Sequence, residues 1–200
     1  MADVGRKIMS RKSNPRPQVF THAAINGLQF GVLRRRFSGT NNAVAYGFLK
    51  LHPATAGLNS SHRPWVPTAQ RVDILLPEGS SDLMSAPAAL LQSFEDFAGP
   101  GQKDLLLHIK LQCPPSDRLH VFWERARRFA RARFVEDEKL PVILVLHVPA
   151  ARASCQEPGA PHVHMLVLAR QLNELGWGAT TKLARDEARF DLAAAWAAQN

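Results

Sequence analysis

Three histidines gather around one short apolar run, and a single tyrosine stands far from them in the chain. The run is Pro161-His162-Val163-His164-Met165-Leu166-Val167-Leu168. In a strand, side chains alternate between faces, so His162 and His164 point the same way, about 7 Å apart at the backbone. His147 closes an earlier apolar run, Val142-Ile143-Leu144-Val145-Leu146. If the two runs pair, the loop between them carries a third imidazole to the same face. Three converging imidazoles with no cysteine beside them suit a divalent cation that keeps positions open for oxygen ligands. The only tyrosine of the chain is Tyr46. A metal centre combined with a tyrosine points to phosphoryl transfer through a covalent intermediate.

The elements that must position these residues follow from the pattern. Leu28 to Leu33 alternates loosely and is expected as a strand. Ser38 is the expected N-cap of a helix from about Asn41 to Leu51, ended before Pro53, and Tyr46 falls within it. Residues 52–71 read as loop, and Val72 to Pro77 as a short apolar segment. Residues 87–97 present Leu90, Leu91 and Phe94 on one helical face. Leu105 to Cys113 reads as a strand stopped by Pro114-Pro115. Asp117 to Val135 gives the clearest helix, with Leu119, Phe122, Trp123, Ala126, Phe129, Ala130 and Phe134 at three- and four-residue steps. The two histidine strands come next, then a polar stretch and a helix from about Arg185 to Ala198. Strands and helices alternate but long helices are few. The expected class is α+β with a mainly antiparallel sheet and helices packed on it.

Composition narrows the partners. Two hundred residues, 46% of them hydrophobic, can bury one good core, so one main domain is expected. No apolar run is long enough to span a bilayer, and Met1 to Arg16 is basic and lacks the apolar segment of a signal peptide. Cys113 and Cys155 form no disulfide or metal pattern, and a cytoplasmic location is expected. The charge is concentrated. Residues 1–50 hold nine Lys and Arg and one acid, Asp3, whereas the other 150 residues balance, so the net charge of +8 sits in the first quarter. Such a segment is an electrostatic footprint for a polyanion. Residues 1–27 read as a basic arm and residues 28–200 as the folded domain.

A His-x-His pair on an apolar strand is weak by itself, because cupins, nucleotidyl hydrolases and ordinary cores all produce it. A nucleotidyl hydrolase needs a third alternating histidine, and position 166 is leucine. The order of segments is more specific. Phe37-Ser38-Gly39-Thr40-Asn41-Asn42-Ala43-Val44-Ala45-Tyr46 is a glycine-then-alanine-rich approach to a tyrosine. Asp73 to Gly79 precedes the middle helix. Gly159-Ala160-Pro161-His162-Val163-His164-Met165-Leu166 carries the histidines, Ala169 to Ala179 runs from arginine to glycine, and Trp196 stands four residues before Asn200. Together these five segments resemble the MobA/MobL family of plasmid-mobilisation relaxases, members of the HUH endonuclease class, over roughly residues 28–200.

The resemblance implies a relaxase-like fold and a metal-dependent DNA strand transferase. Such an enzyme nicks one strand at a plasmid transfer origin, holds the 5′ end on Tyr46 as a phosphotyrosine, and rejoins it. His147, His162 and His164 would be the metal ligands. The cofactor expected is a divalent cation, Mn or Mg, although imidazole accepts Mn, Ni, Co or Zn more readily than Mg. Arg34, Arg35 and Arg36 are the candidate DNA contacts. Partners would be single-stranded DNA at a transfer origin and accessory mobilisation proteins. Replication initiators and transposases of the HUH class usually place their tyrosine after the histidine motif, and no tyrosine follows His164. Two positions depart from the family pattern: His108 and Lys110 stand where such relaxases usually carry glutamates, and Val148-Pro149 follow His147 where an acid is common. These departures motivate an alternative, a catalytically degenerate HUH-fold protein that binds DNA without cutting it.

Overall fold

The computed structural model of the chain describes residues 17–35, 41–53, 67–149 and 159–199. The basic segment of residues 1–16, and with it Arg36, Ser38, Trp65 and Cys155, lies outside the described residues. From Pro17 onward the chain already lies on the fold. Phe20–Thr21 (β1) pairs antiparallel with Leu28–Arg34 (β2), and the Gln18 amide donates to Asn41 Oδ1. The remaining strands are Arg71–Leu75 (β3), Asp104–Gln112 (β4), Val142–His147 (β5) and His162–Leu168 (β6). They form one six-stranded sheet in the order β1-β2-β4-β6-β5-β3, with every pair antiparallel. The expected α+β class with an antiparallel sheet is the one observed.

Period-two alternation gives this sheet two different faces. On one, Phe30, Ile109, Val142, Leu144, Val163, Met165 and Val167 pack against Leu119–Ala130 (α3) and Ala188–Ala197 (α4). Phe122 and Phe129 meet Trp196 edge to face, with ring centroids 6.1 and 5.4 Å apart, which ties the two helices together. On the other face, Leu33, Leu106, Ile143, Val145, Leu166 and Leu168 pack beneath Ala43–Leu51 (α1) and Pro87–Ala98 (α2). α1 and α2 touch closely because Gly47 has no Cβ; one added there would run into Leu91.

Several details differ from expectation. The N-cap of α1 is Asn42, whose Oδ1 accepts from the Ala45 amide at 2.6 Å; a cap must directly precede the first helical residue, and Ser38 is too far upstream. The long helix splits into α3 and a π-helical segment, Arg131–Glu136. The polar stretch after β6 contains a hairpin, Arg170–Asn173 (β7) with Gly176–Thr180 (β8). It docks through Trp177, whose Nε1 donates to Ser93 Oγ at 3.0 Å and whose ring meets Phe94. Trp177 is therefore a packing residue.

The arginines of α3 and its extension are largely occupied. Arg125 pairs with Asp117, Arg127 with Asp73, and Arg133 with Asp137 and Glu138.

Trp196 is 3% exposed and closes the α3–α4 layer. Trp196→Ala should cost about 3–5 kcal/mol through lost burial and the cavity left behind. A urea titration followed by circular dichroism would read this as a lower midpoint.

Candidate functional site

The face beneath α1 and α2 changes character halfway along its strands. Leu166 and Leu168 give way to His164 and His162 on β6, Ile143 and Val145 to His147 on β5, and Leu106 to His108 and Lys110 on β4. β6 is flanked by β4 and β5, so the imidazoles sit at the middle of the sheet. Register assembles them. His147 stands directly opposite His162, and Lys110 directly opposite His164. Ring centroids are 5.3 Å apart for His147–His162, 4.7 Å for His147–His164 and 4.8 Å for His162–His164. One ring nitrogen from each of the three lies within 4.8 Å of the others. That is looser than the roughly 4 Å at which three ring nitrogens share one ion.

Each of the three rings has one nitrogen anchored and one left over. His147 Nε2 donates to the Lys50 carbonyl at 2.6 Å, and His162 Nδ1 donates to the Ala160 carbonyl at 2.9 Å. His164 Nδ1 meets His108 Nε2 at 2.8 Å. In the tautomer where His164 donates, the three remaining nitrogens, His147 Nδ1, His162 Nε2 and His164 Nε2, all carry lone pairs. A metal-binding histidine commonly donates its other N–H to a fixed acceptor, so this donor set fits a cation. His108 does for His164 what backbone carbonyls do for the other two. Its own Nδ1 is buried and has no hydrogen-bond partner among the described residues.

Burial keeps these rings neutral. It lowers the pKa of His108 and His164 well below the ordinary histidine value, lowers that of His147, and brings His162 down to about 4. The positive charges of Lys50 and Lys110 add to this at His108, His147 and His162. Neutral imidazole is the form that ligates a metal.

Tyr46 reaches the cluster from α1. Its ring packs edge-on against His108 with centroids 5.6 Å apart, and it is 5% exposed. Burial pushes the phenol pKa up. Lys50, one turn further along α1, places its amine 5.3 Å from the centre of the Tyr46 ring, and burial lowers that amine to about 8, helped by Lys110. The N-terminus of α1 is pinned at several points. Asn41 Nδ2 donates to the Gln18 and Arg34 carbonyls, and Glu95 on α2 accepts from the Ala43 amide.

The two described arginines before the tyrosine helix, Arg34 and Arg35, are engaged with acids. Arg34 bridges Asp104 at 3.1 Å and Asp186 at 3.2 Å with its side chain half exposed, and Arg35 pairs with Glu95 at 2.5 Å. Arg35 thereby holds the carboxylate that caps α1. The residues that sequence reasoning left out of the site are His108, Lys110 and Lys50. The available signal was the same alternation that pairs His162 with His164, applied to β4, and the four-residue step from Tyr46 to Lys50.

In sequence the chain matches no protein-family model and no curated protein. In structure it is similar to the protein solved as the molecular basis of vancomycin resistance transfer in Staphylococcus aureus. The TM-score is 0.64 at 15% identity, covering 90% of each chain, and shows a shared fold. A second similarity is to the conjugative relaxase TrwC in complex with oriT DNA, in a copper-bound structure. It has a TM-score of 0.37 at 15% identity over 53% of this chain and 44% of that one, too low to establish common architecture.

Buried neutral imidazoles make stability depend on pH. His162 has an ordinary value near 6.5 when exposed and about 4 when folded. Between these values the unfolded chain takes up a proton that the folded chain refuses. Stability is therefore fully present above about pH 6.5 and falls as pH drops towards 4. The shifts at His108, His147 and His164 act in the same direction. Urea midpoints measured in chelator between pH 6.5 and 5, above the ordinary range of carboxylates, should decline steadily. His162→Asn should make the decline shallower, and a flat profile would mean that the imidazoles are not held neutral.

Proposed function

We propose that the chain is a relaxase-like DNA strand transferase, cutting one strand at a plasmid transfer origin through a covalent bond to Tyr46 and rejoining it. The observation that carries the reading is how α1 meets the histidine end of the sheet. Tyr46 lies against His108, which bonds His164, and the Lys50 carbonyl holds His147. One helix thus brings the only tyrosine to a three-histidine group suited to a metal. The fold shared with the vancomycin-resistance-transfer protein agrees with it.

His147, His162 and His164 would hold a divalent cation, Mn or Mg, and when bound it would neutralise the non-bridging oxygens of a phosphodiester. The phenolic oxygen of Tyr46 attacks phosphorus. A bond from Tyr46 Oη to phosphorus forms, the bond from phosphorus to the 3′ oxygen breaks, and the leaving 3′ hydroxyl carries a proton. The 5′ end remains as a phosphotyrosine, and attack by a 3′ hydroxyl reverses the step. The Lys50 ammonium near the Tyr46 ring favours the phenolate as charge develops. Arg34, half exposed, would exchange an acid for a backbone phosphate away from the cut bond, since it pairs with Asp104 at the start of β4 while His162 faces Gln112 at the end of that strand. Residues 1–16 would add sequence-independent attraction through their basic side chains.

A second reading has its own support. Tyr46 is nearly buried, and among the described residues no carboxylate acts on it to take its proton. A protein that keeps the fold and the DNA-binding charge but does not cut would look the same in these respects.

Tyr46→Phe separates the two. Incubation of the wild type with single-stranded transfer-origin DNA and Mn should give a protein–DNA adduct that survives denaturation. The Phe variant should give none while binding DNA within about two-fold, since only the phenolic oxygen is lost. His162→Ala should lose both the adduct and the metal, because one of three ligands is gone. An adduct from the Phe variant would assign another nucleophile, and no adduct from the wild type with any divalent metal would favour the binder.

The charge distribution generates a further test. Each phosphate neutralised on a single strand contributes about −0.7 to the slope of log K against log salt. Removing residues 1–16, with Arg6, Lys7, Arg11, Lys12 and Arg16, should flatten that slope. An unchanged slope would mean that this segment does not touch DNA.

A further inference from the structure

We infer that Lys50 and Lys110 make the three-histidine centre anion-coupled, so that it takes up a divalent cation together with a phosphodiester of single-stranded DNA rather than alone. The inference rests on the relaxase-like reading and adds to it an order of dependence that the metal ligands by themselves do not carry.

Placement comes first. Lys110 stands directly opposite His164 across the β4–β6 pair, and residues two apart on β4 share a face, so Lys110 and His108 lie on the histidine side of the sheet. Lys50 is bound to the site through its own carbonyl on His147, and its amine lies over Tyr46. The two lysines flank the imidazoles from the helix and from the sheet.

The charges come next. The ion pairs among the described residues use other side chains, and none brings a carboxylate to Lys50 or Lys110. Among the described residues, the charged groups acting on His108, His147 and His162 are lysines and other histidines, with no acid between them. Lys50 is itself opposed by Lys110. A divalent cation entering this group would add two positive charges to two ammonium groups and find only neutral ligands. Like charges at close range in a half-buried site disfavour one another. The ligand that resolves the conflict is an anion with several oxygens. A phosphodiester offers one non-bridging oxygen to the cation and leaves acceptors for the amines. Cation and phosphodiester must then strengthen each other by the same factor, because the coupling is reciprocal.

The test uses the full chain carrying Tyr46→Phe, which removes the covalent step. Mn binding is read at pH 7 and low salt from the loss of the free-ion electron paramagnetic resonance signal. It is measured with no anion, with a short single-stranded oligonucleotide, and with inorganic phosphate at the same concentration. The same protein with His162→Ala added gives the Mn taken up by DNA itself. The expected result is a tightening of Mn binding of ten-fold or more with the oligonucleotide and little with inorganic phosphate. Lys110→Glu and Lys50→Met should each raise Mn affinity in the absence of DNA and cut the tightening to three-fold or less. Equal Mn affinity with and without the oligonucleotide overturns the inference, and this comparison needs no lysine variant to fold. Lysine variants that change neither quantity also overturn it, and equal tightening by inorganic phosphate overturns the assignment to a phosphodiester. Failure of the underlying reading looks different. If the protein binds no more Mn than its His162→Ala form under any condition, there is no metal centre. If wild type forms a Mn-dependent adduct but shows no coupling, the strand-transfer reading stands and this inference falls.

Discussion

Strand register is the constraint on which the rest depends. His147 faces His162 across β5 and β6, and Lys110 faces His164 across β4 and β6. Side chains repeat every two residues, so a slip of one position would turn His162 and His164 into the α3–α4 core and bring Val163 and Met165 to the polar side. The apolar halves of the same strands prevent this. Leu166 and Leu168 pack under α1 and α2, while Val163, Met165 and Val167 pack under α3 and α4, and both sets are fully buried. The hydrophobic effect on two faces therefore fixes the relative position of the three imidazoles.

The helix that brings Tyr46 is held with similar redundancy, by different means. Asn42 caps it, Asn41 ties its entry to Gln18 and to the end of β2, and Glu95 accepts from its first amide while paired to Arg35. The missing Cβ at Gly47 lets Leu91 of α2 press against it. The electrostatics of the centre contrast with this surrounding order. Among the described residues, carboxylates serve the scaffold, at Glu95, Asp104, Asp117 and Asp186, whereas the centre itself holds imidazoles and amines.

The sequence was most legible where one local pattern decides the outcome. Alternation on Pro161 to Leu168 placed His162 and His164 on one face, and the apolar run ending at His147 paired as expected. The helix carrying Tyr46, the strand from Leu105 and the apolar stripe of α3 also follow from local periodicity. Sequence reading fell short where the outcome depends on which strands meet. His108 and Lys110 looked like departures from a family pattern because nothing local reveals that β4 lies beside β6. The β7–β8 hairpin was hidden by a polar composition poor in β-branched residues, and its stability comes from Trp177 against Phe94 and Ser93. The roles of Arg34 and Arg35 were equally nonlocal, since Asp104, Asp186 and Glu95 lie far along the chain.

The two faces of the sheet also divide the molecule by what can be altered. Among the described residues, the strand histidines and Lys110 project toward α1 and α2, while the Phe122, Phe129 and Trp196 cluster lies on the far side, separated by the layer of the sheet itself. The aromatic packing and the imidazoles thus lie on opposite sides of one partition. Stabilising changes usually threaten activity when they stiffen residues that a reaction needs to move. Here the α3–α4 layer offers a place to harden the scaffold for engineering, leaving the imidazole face free to be reshaped on its own terms.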